Sequence, residues 1–345
     1  MVIGIIGAGL SGLTAGRLLA NEGHEVTIFE KSRGYGGRMA TRYAGKDLKT
    51  KLDHGLPYFM AESSEFREFA VELIEKGIIS TWGRNFSAYD GENLIHKNPN
   101  DPRDVIYTST NGMNKIGKYL SRWVDVKESS RAAGLTYIGK NRSKKRAWMI
   151  NMVTSKAFGF DAVIIALPAP QAFGILSTTI DEIDTLKIVR KLDEVNYRPS
   201  FSLMVGYGDA EIPEWQGIVC NNSILDFISN EASKRPDGHE CSFVLHANAA
   251  FSRKHRDGDT EPVIREMLAE FSKITGGWAA SPAWHQLHFW RYSRPQVQIN
   301  KPFFELEDEL APLALIGDYF QGNGVESAYK SGYDLAKHWI EKFKK

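Results

Sequence analysis

Gly7-Ala8-Gly9-Leu10-Ser11-Gly12, followed after roughly 20 residues by Glu30, is the pairing of residue types that most directly implies chemistry. A glycine at position 7 permits a tight turn, Gly9 lets backbone approach a pyrophosphate, and Gly12 lets a helix pack closely on a strand. Glu30 is placed to accept hydrogen bonds from ribose hydroxyls. The flanking elements have the required order. An apolar run, Val2 to Ile6, leads into the glycines. A helical pattern through Leu10, Leu13, Leu18 and Leu19 stops at Gly23, and a second apolar run, Val26 to Phe29, delivers Glu30. The helix N-terminus then presents free N–H groups and positive dipole to phosphate, with Leu10 and Ser11 in its first turn. This reads as a dinucleotide site; the bland alternative is glycines easing a helix–strand turn.

Lys31 to Arg42, KSRGYGGRMATR, is a glycine-rich loop carrying Gly34, Gly36 and Gly37 among Arg33, Arg38 and Arg42. It is either a solvated basic loop or a second phosphate clamp in which Lys31, Arg33 and Arg38 face the cofactor beside Met39. Position directly after Glu30 favours the clamp. A nicotinamide-only Rossmann domain does not need this element, whereas a flavin dinucleotide site often has it.

The elements that must position these groups follow. Ser63 to Lys76 is an amphipathic helix with Phe66, Phe69, Leu73 and Ile74 on one face. Phe160 to Gln171 contains a buried parallel strand, Ala162 to Ala166, that Pro168 ends. Short strands are expected near 86–89, 93–96, 124–127, 135–138, 148–153, 195–207, 217–220, 225–229 and 241–247. Helices are expected over 180–192 and 261–274, and Pro199 marks an edge or bulge. The basic run Lys140 to Arg146 is expected at a hairpin tip. Near the end, the strand Leu313 to Ile316 runs into Gly317-Asp318. Gly324-Val325-Glu326-Ser327-Ala328 then opens a long helix. Asp318 can hold ribityl hydroxyls, and the N–H groups at Val325–Glu326 can stabilise negative charge at flavin N1/O2.

Two stretches have an open reading. The aromatics of Leu52-Asp53-His54-Gly55-Leu56-Pro57-Tyr58-Phe59 are buried wedges or flank a flat ring system. In Trp284 to Tyr292, strand alternation puts Gln286, His288, Trp290 and Tyr292 on one face, either as core or as a substrate wall. His288 and His246 are the candidate catalytic residues.

Composition excludes some classes. A net charge of +1 gives no global field for nucleic acid or an anionic membrane. Cys220 and Cys241 form no metal or redox motif, and no metal-ligand or Ser/His/Asp constellation appears. The fingerprint strand starts at residue 2 and no long apolar run exists, so a cytoplasmic protein is expected.

Taken together, these motifs resemble the FAD-binding fold of the glutathione-reductase and amine-oxidase type, and within it the renalase-like FAD-dependent oxidoreductases. GGRMATR with LDHGLPYF carries the specific likeness, since that family typically has GGRMATR and a DHGAQYFT-like string. FDAVIIALPAPQA and FWRYSRP also look like its later blocks. The likeness is patchy from about residue 170 to 280 and departs at Leu56-Pro57 and Met60, near the flavin in the family. It implies an α/β Rossmann-like domain over 1–60, 107–167 and 295–345, with an inserted antiparallel α+β substrate domain over 61–106 and 168–294. It also implies non-covalent FAD with Glu30 at the ribose, Arg38 at the pyrophosphate and Val126 on the adenine side. Tyr58 and Phe59 would sit by the flavin, Asp318 by the ribityl or pyrophosphate, and Val325 over the pyrimidine end, with Pro168, Gly317, Gly324, Glu326 and Ala328 completing the set. Renalase-like enzymes are associated with oxidising isomeric dihydronicotinamide nucleotides. Such a substrate suits Tyr58, His288, Trp290 and Tyr292, with Arg291 for phosphate and O₂ as plausible acceptor. The rival expectations are a flavin amine oxidase and a non-catalytic flavin redox sensor.

Overall fold

The computed structural model describes residues 1–96, 105–138, 146–179, 186–235, 240–306, 311–322 and 324–344. The hairpin tip at 140–145, the first part of the 180–192 helix and Asn323 lie outside the described residues. Two sheets organise the rest. The first is built on Val2–Ile6, which pairs in parallel with Glu25–Phe29 on one side and Ala162–Ile165 on the other. Asp125–Lys127 and Leu313–Leu315 extend it in parallel, and Phe304–Glu305 closes one edge antiparallel. Its strands read as continuous apolar runs because both faces are covered. The helices Leu10–Asn21, Asn114–Leu120 and Gly324–Lys342 cover one face. The meander Ala132–Tyr137, Trp148–Met152 and Ala157–Phe160 packs on the other through Trp148, Ile150 and Phe160.

The second sheet runs in the order 284–295, 197–206, 242–247, 225–230, 217–220, 86–89, 94–95 and is antiparallel except where Gly217–Cys220 meets Phe86–Tyr89. Alternation gives it two unlike faces. Phe201, Leu203, Phe243 and Leu245 point back into a core capped by the helix Thr260–Thr275. The polar set Ser200, Ser202, His246 and His288 is on the front, and Pro199 coincides with a register shift between Arg198 and Ser200. Because Tyr197–Gly206 lies between two neighbours, Pro199 marks a bulge and not an edge.

The helix Ser64–Glu75, expected with the inserted unit, instead buries Phe66, Phe69 and Leu73 in the first unit's core with Tyr329 and Trp339. Ser63 caps it, accepting from Phe66 N at 3.4 Å. The reason for the difference is its apolar stripe, which fits the stripe of the C-terminal helix: Phe69 and Tyr329 stack at 4.8 Å. Cys220 and Cys241 are free and buried. No helix among the described residues is long and apolar enough to cross a membrane.

Candidate active site

The glycine turn has the geometry its spacing implies. Gly7 has φ +108°, open to glycine at little cost. A Cβ on Gly12 would collide with Gly7 O, so helix and strand touch backbone to backbone. A Cβ on Gly9 would meet nothing within 4 Å. The helix that Gly9 caps has no side-chain cap and no acidic residue in its first turn. An uncapped helix N-terminus facing open space is what a pyrophosphate requires. The Gly36-Gly37 loop folds back on this turn: Gly36 N donates to Ala8 O at 2.8 Å and bridges with Gly9. Glu30 is buried. Its carboxylate accepts from Ala8 N and Ser32 N, both at 2.9 Å, which fixes its plane beside Val126, one strand over. Lys31 and Arg33 are exposed on the same rim.

Arg38, expected at the pyrophosphate, is also engaged within the protein. Its Nη1 donates to Asp318 Oδ2 at 2.6 Å and to the carbonyls of Ser293 (3.0 Å) and Tyr292 (3.2 Å). Asp318 Oδ1 accepts from the Tyr197 hydroxyl at 3.0 Å, and the Tyr197 and Tyr292 rings meet edge-on at 5.6 Å. Residues from four distant parts of the chain thus converge on one ion pair. Gly317 N donates to Ser331 Oγ, and Ser327 Oγ donates to the Asp318 carbonyl, fixing the strand end to the C-terminal helix. Gly324 and Val325 open that helix, with Ala328 one turn in. Glu326 turns its side chain away from this end and accepts from Glu62 N and Ser63 N, both at 2.8 Å. Pro168 caps the helix after the Ala162–Ile165 strand, and Met39 is buried.

Tyr58 and Phe59 part company. The Phe59 ring is buried against Phe66 and Tyr107 in the core and is a wedge, because its backbone pairs with Tyr107 and turns the ring inward. Tyr58, half-buried, joins Trp82, Phe86 and Phe227 in an aromatic cluster at the front of the second sheet.

Beside it is a group of three histidines. Ser202 pairs across the sheet with both His246 and His288, which places those rings in one row, about 10 Å apart. His54 lies over this row. It stacks on Trp290 at 5.2 Å, and its ring meets His288 edge-on at 4.9 Å, while Trp290 Nε1 donates to the His54 carbonyl at 2.9 Å. Ser202 Oγ shares a hydrogen bond with His246 Nδ1 at 3.2 Å. His54 Nδ1 and His246 Nε2 are buried with no partner among the described residues. Burial disfavours the charged form of all three rings. It pushes His54 down to about 3, helped by His288, Arg42 and His246. It pushes His246 down to about 3, helped by Arg294 and Lys234. His288 is lowered by burial and by Arg42. Arg291 does not belong to this face. It follows Trp290, where the pairing register shifts, and it is exposed. Gln286 shares the face but is exposed toward the strand's start.

Sequence reasoning missed His54, Tyr197, Trp82 and Phe227. It also missed what holds His54, a buried cluster of Asp53, Glu231, Lys234 and Arg235. Five closely spaced polar positions, 229–231 and 234–235, at the end of a strand and in the turn after it were the available signal.

Residues 5–73 match the model of the NAD(P)-binding Rossmann-like domain. Renalase of Mus musculus is 22% identical over 350 residues, 96% of this chain and 97% of that protein. Among solved structures, cyclohexylamine oxidase from Brevibacterium oxydans IH-35A superposes with TM-score 0.75 at 11% identity, covering 100% of this chain and 99% of that one. A putative protoporphyrinogen oxidase from Exiguobacterium sp. 255-15 gives 0.71 at 10% identity, covering 99% and 98%. The chain is thus similar to renalase along nearly its whole length, with a Rossmann-like match at its N-terminal end and the fold of the amine and protoporphyrinogen oxidases.

Proposed function

We propose that this protein is an FAD-dependent oxidoreductase that takes hydride from a small, phosphate-bearing donor such as an isomeric dihydronicotinamide nucleotide. Glu30 holds the adenosine ribose, the Gly9-capped helix and the Gly36-Gly37 loop hold the pyrophosphate, and Asp318 with Arg38 borders the ribityl chain. The N–H groups of Val325 and Glu326 serve the pyrimidine end. When bound, FAD supplies the hydride-accepting centre. No cysteine or histidine stands in an attachment motif, so the cofactor is held non-covalently, and O₂ is the proposed acceptor. We place the protein in the cytoplasm.

The observation that carries this reading is the packing of His54 on His288 and Trp290, with His246 in the same row across Ser202; burial disfavours the charged form of each ring, and the charge of Arg42 acts on His54 and His288. A dihydropyridine gives up hydride with no acidic proton to remove, so it needs no strong base. The nearest carboxylate, Asp53, is already occupied by Arg235, Thr41 Oγ1 and Met113 N. Neutral imidazoles and an indole present hydrogen-bonding edges and flat faces to a planar ring, and Arg42 suits an anionic tail. The aromatic cluster around Tyr58 favours a second reading, an amine oxidase acting on a neutral amine. A flavin module without turnover is the third.

Anaerobic mixing of the purified yellow protein with 2- or 6-dihydro-NAD, and separately with primary amines, tests this. Bleaching of the flavin band by the nucleotides alone is the expected result. Bleaching by amines alone would move the protein to the second reading, and bleaching by neither would leave the third.

A further inference from the structure

We propose that Asp53 is a positioning residue: through a buried four-charge cluster with Glu231, Lys234 and Arg235, it fixes where His54 sits over the sheet. The inference rests on the reading of the His54–His288–Trp290 face as substrate-facing.

The cluster grips residue 53 by side chain and backbone together. Asp53 Oδ2 accepts from Arg235 Nη2 at 2.8 Å and from Lys234 Nζ at 3.5 Å. Its Oδ1 accepts from Thr41 Oγ1 at 2.7 Å and Met113 N at 2.9 Å, which fixes the plane of the carboxylate. Its N–H donates to Glu231 Oε2 at 2.9 Å. Glu231 is held in turn by Arg235 Nη1 at 2.9 Å, Lys234 Nζ at 2.6 Å and Ser229 Oγ. Lys234 Nζ also lies 4.8 Å from the Trp82 ring centre. Two anions and two cations sum to zero, and each of the four residues is at most 3% exposed.

The next two residues are tied elsewhere. The His54 carbonyl receives Trp290 Nε1, and a Cβ on Gly55 would collide with Arg38 O. Three consecutive residues are therefore fixed from three sides: by the second sheet at Asp53, by its edge strand at His54, and by the cofactor loop at Gly55. A buried ion cluster contributes little net stability compared with apolar packing of the same volume. Its directional bonds, in contrast, admit one placement of the chain. Asp53 is spent on that placement: with four donors on two oxygens it has no capacity to act as a base. The charged and titratable groups acting on the His54 ring are His288, Arg42, His246 and Asp53 itself.

The test uses the double variant Asp53→Asn/Arg235→Gln, which removes one charge of each sign and keeps the buried sum at zero, because Asp53→Asn alone strands a buried cation. Histidine proton NMR is recorded from pH 8 to 5 on the protein as purified, with the His54 signal assigned by its loss in His54→Asn. In the wild-type protein this signal is expected not to titrate in that range. In the folded double variant it is expected to titrate with a midpoint above pH 5, as the ring is released from the dry row. Arg235→Lys, which keeps the charge, is expected to leave it silent. With the donor identified by the mixing experiment, the double variant is expected to lose 10- to 100-fold in kcat with a smaller change in KM, the signature of misplacement by about an ångström. A silent His54 signal in the folded double variant overturns the proposal. A wild-type protein that holds no flavin overturns the functional reading, and the NMR result still decides the role of Asp53.

Discussion

At the glycine turn the contacts are made mostly by backbone, with the Glu30 carboxylate as the side chain among them, and they come from residues close in sequence: Gly7 to Gly12, then Glu30, then Gly36 and Gly37. At the opposite end they are made by side chains contributed by residues 54, 58, 82, 202, 227, 246, 288 and 290. A backbone site depends on how closely two elements approach, and only glycine allows that approach. A side-chain site depends on long-range placement, so it can change its residues while the scaffold stays. The difference accounts for a Rossmann-domain match confined to residues 5–73 beside a full-length relative that shares only 22% identity.

The largest expected effect breaks the backbone end. In Gly12→Val the new side chain meets Gly7 O and lies close to Ala166 Cβ and Ile5 Cγ2. Neither the turn nor the strand can move without dismantling the parallel sheet. Overpacking of this kind costs about 3 kcal/mol. The variant is expected to purify colourless with a lowered urea midpoint. A yellow protein with a wild-type midpoint would show that the turn is less closely packed than the structure has it.

The side-chain end is distinguished by its response to acid. His54 and His246 hold folded values near 3, against an ordinary 6.5. Well above pH 6.5 neither the folded nor the unfolded state binds these protons, and the two rings add no slope. As pH falls from 6.5 toward 3, the unfolded chain binds protons that the folded one refuses, so stability drops. The loss is up to about 1.4 kcal/mol per pH unit for each ring. Urea midpoints between pH 6.5 and 5 precede most carboxylate titration and measure this slope. His246→Gln, which can keep the bond to Ser202, is expected to reduce it by one ring's share, up to about 1.4 kcal/mol per pH unit. An unchanged slope would mean that His246 is not held neutral in the folded state.

How much of this was legible in the sequence follows from the same contrast. Val2 to Arg38 could be read because its chemistry is local: strand, turn, helix and acid occur in order, and each glycine has a job that spacing reveals. The C-terminal Gly317-Asp318 was legible for the same reason, but its engagement with Arg38 and Tyr197 was not, since those partners are far away in the chain. His54 stood in view inside Leu52 to Phe59, yet its neighbours are His288 and Trp290, and only the strand register brings them together. Tyr58 and Phe59 offered the same local evidence and diverged, because the bridge between Phe59 and Tyr107 decides which ring turns inward. The Ser64–Glu75 helix was recognised correctly but assigned to the wrong layer. An amphipathic stripe shows that a helix has a buried face, and not which core receives it.

The smallest expected effect sharpens the side-chain end by comparing two arginines. Arg291 follows Trp290 in the chain, and proximity in sequence suggested it for the substrate's phosphate. It lies where the strand's register shifts after Trp290, and its side chain is exposed. Arg42 sits on the short strand Arg42–Ala44, opposite Leu52, and its charge acts on both His54 and His288. Arg42→Ala is expected to raise KM for a phosphate-bearing donor about tenfold, the worth of one hydrogen bond to a charged group. It should leave KM for a phosphate-free analogue nearly unchanged. Arg291→Ala is expected to change KM by less than about twofold and stability by no more than about 0.5 kcal/mol. If the two results were exchanged, the phosphate would be met by Arg291 at the irregular end of the strand, and the charge of Arg42 would serve the imidazoles alone.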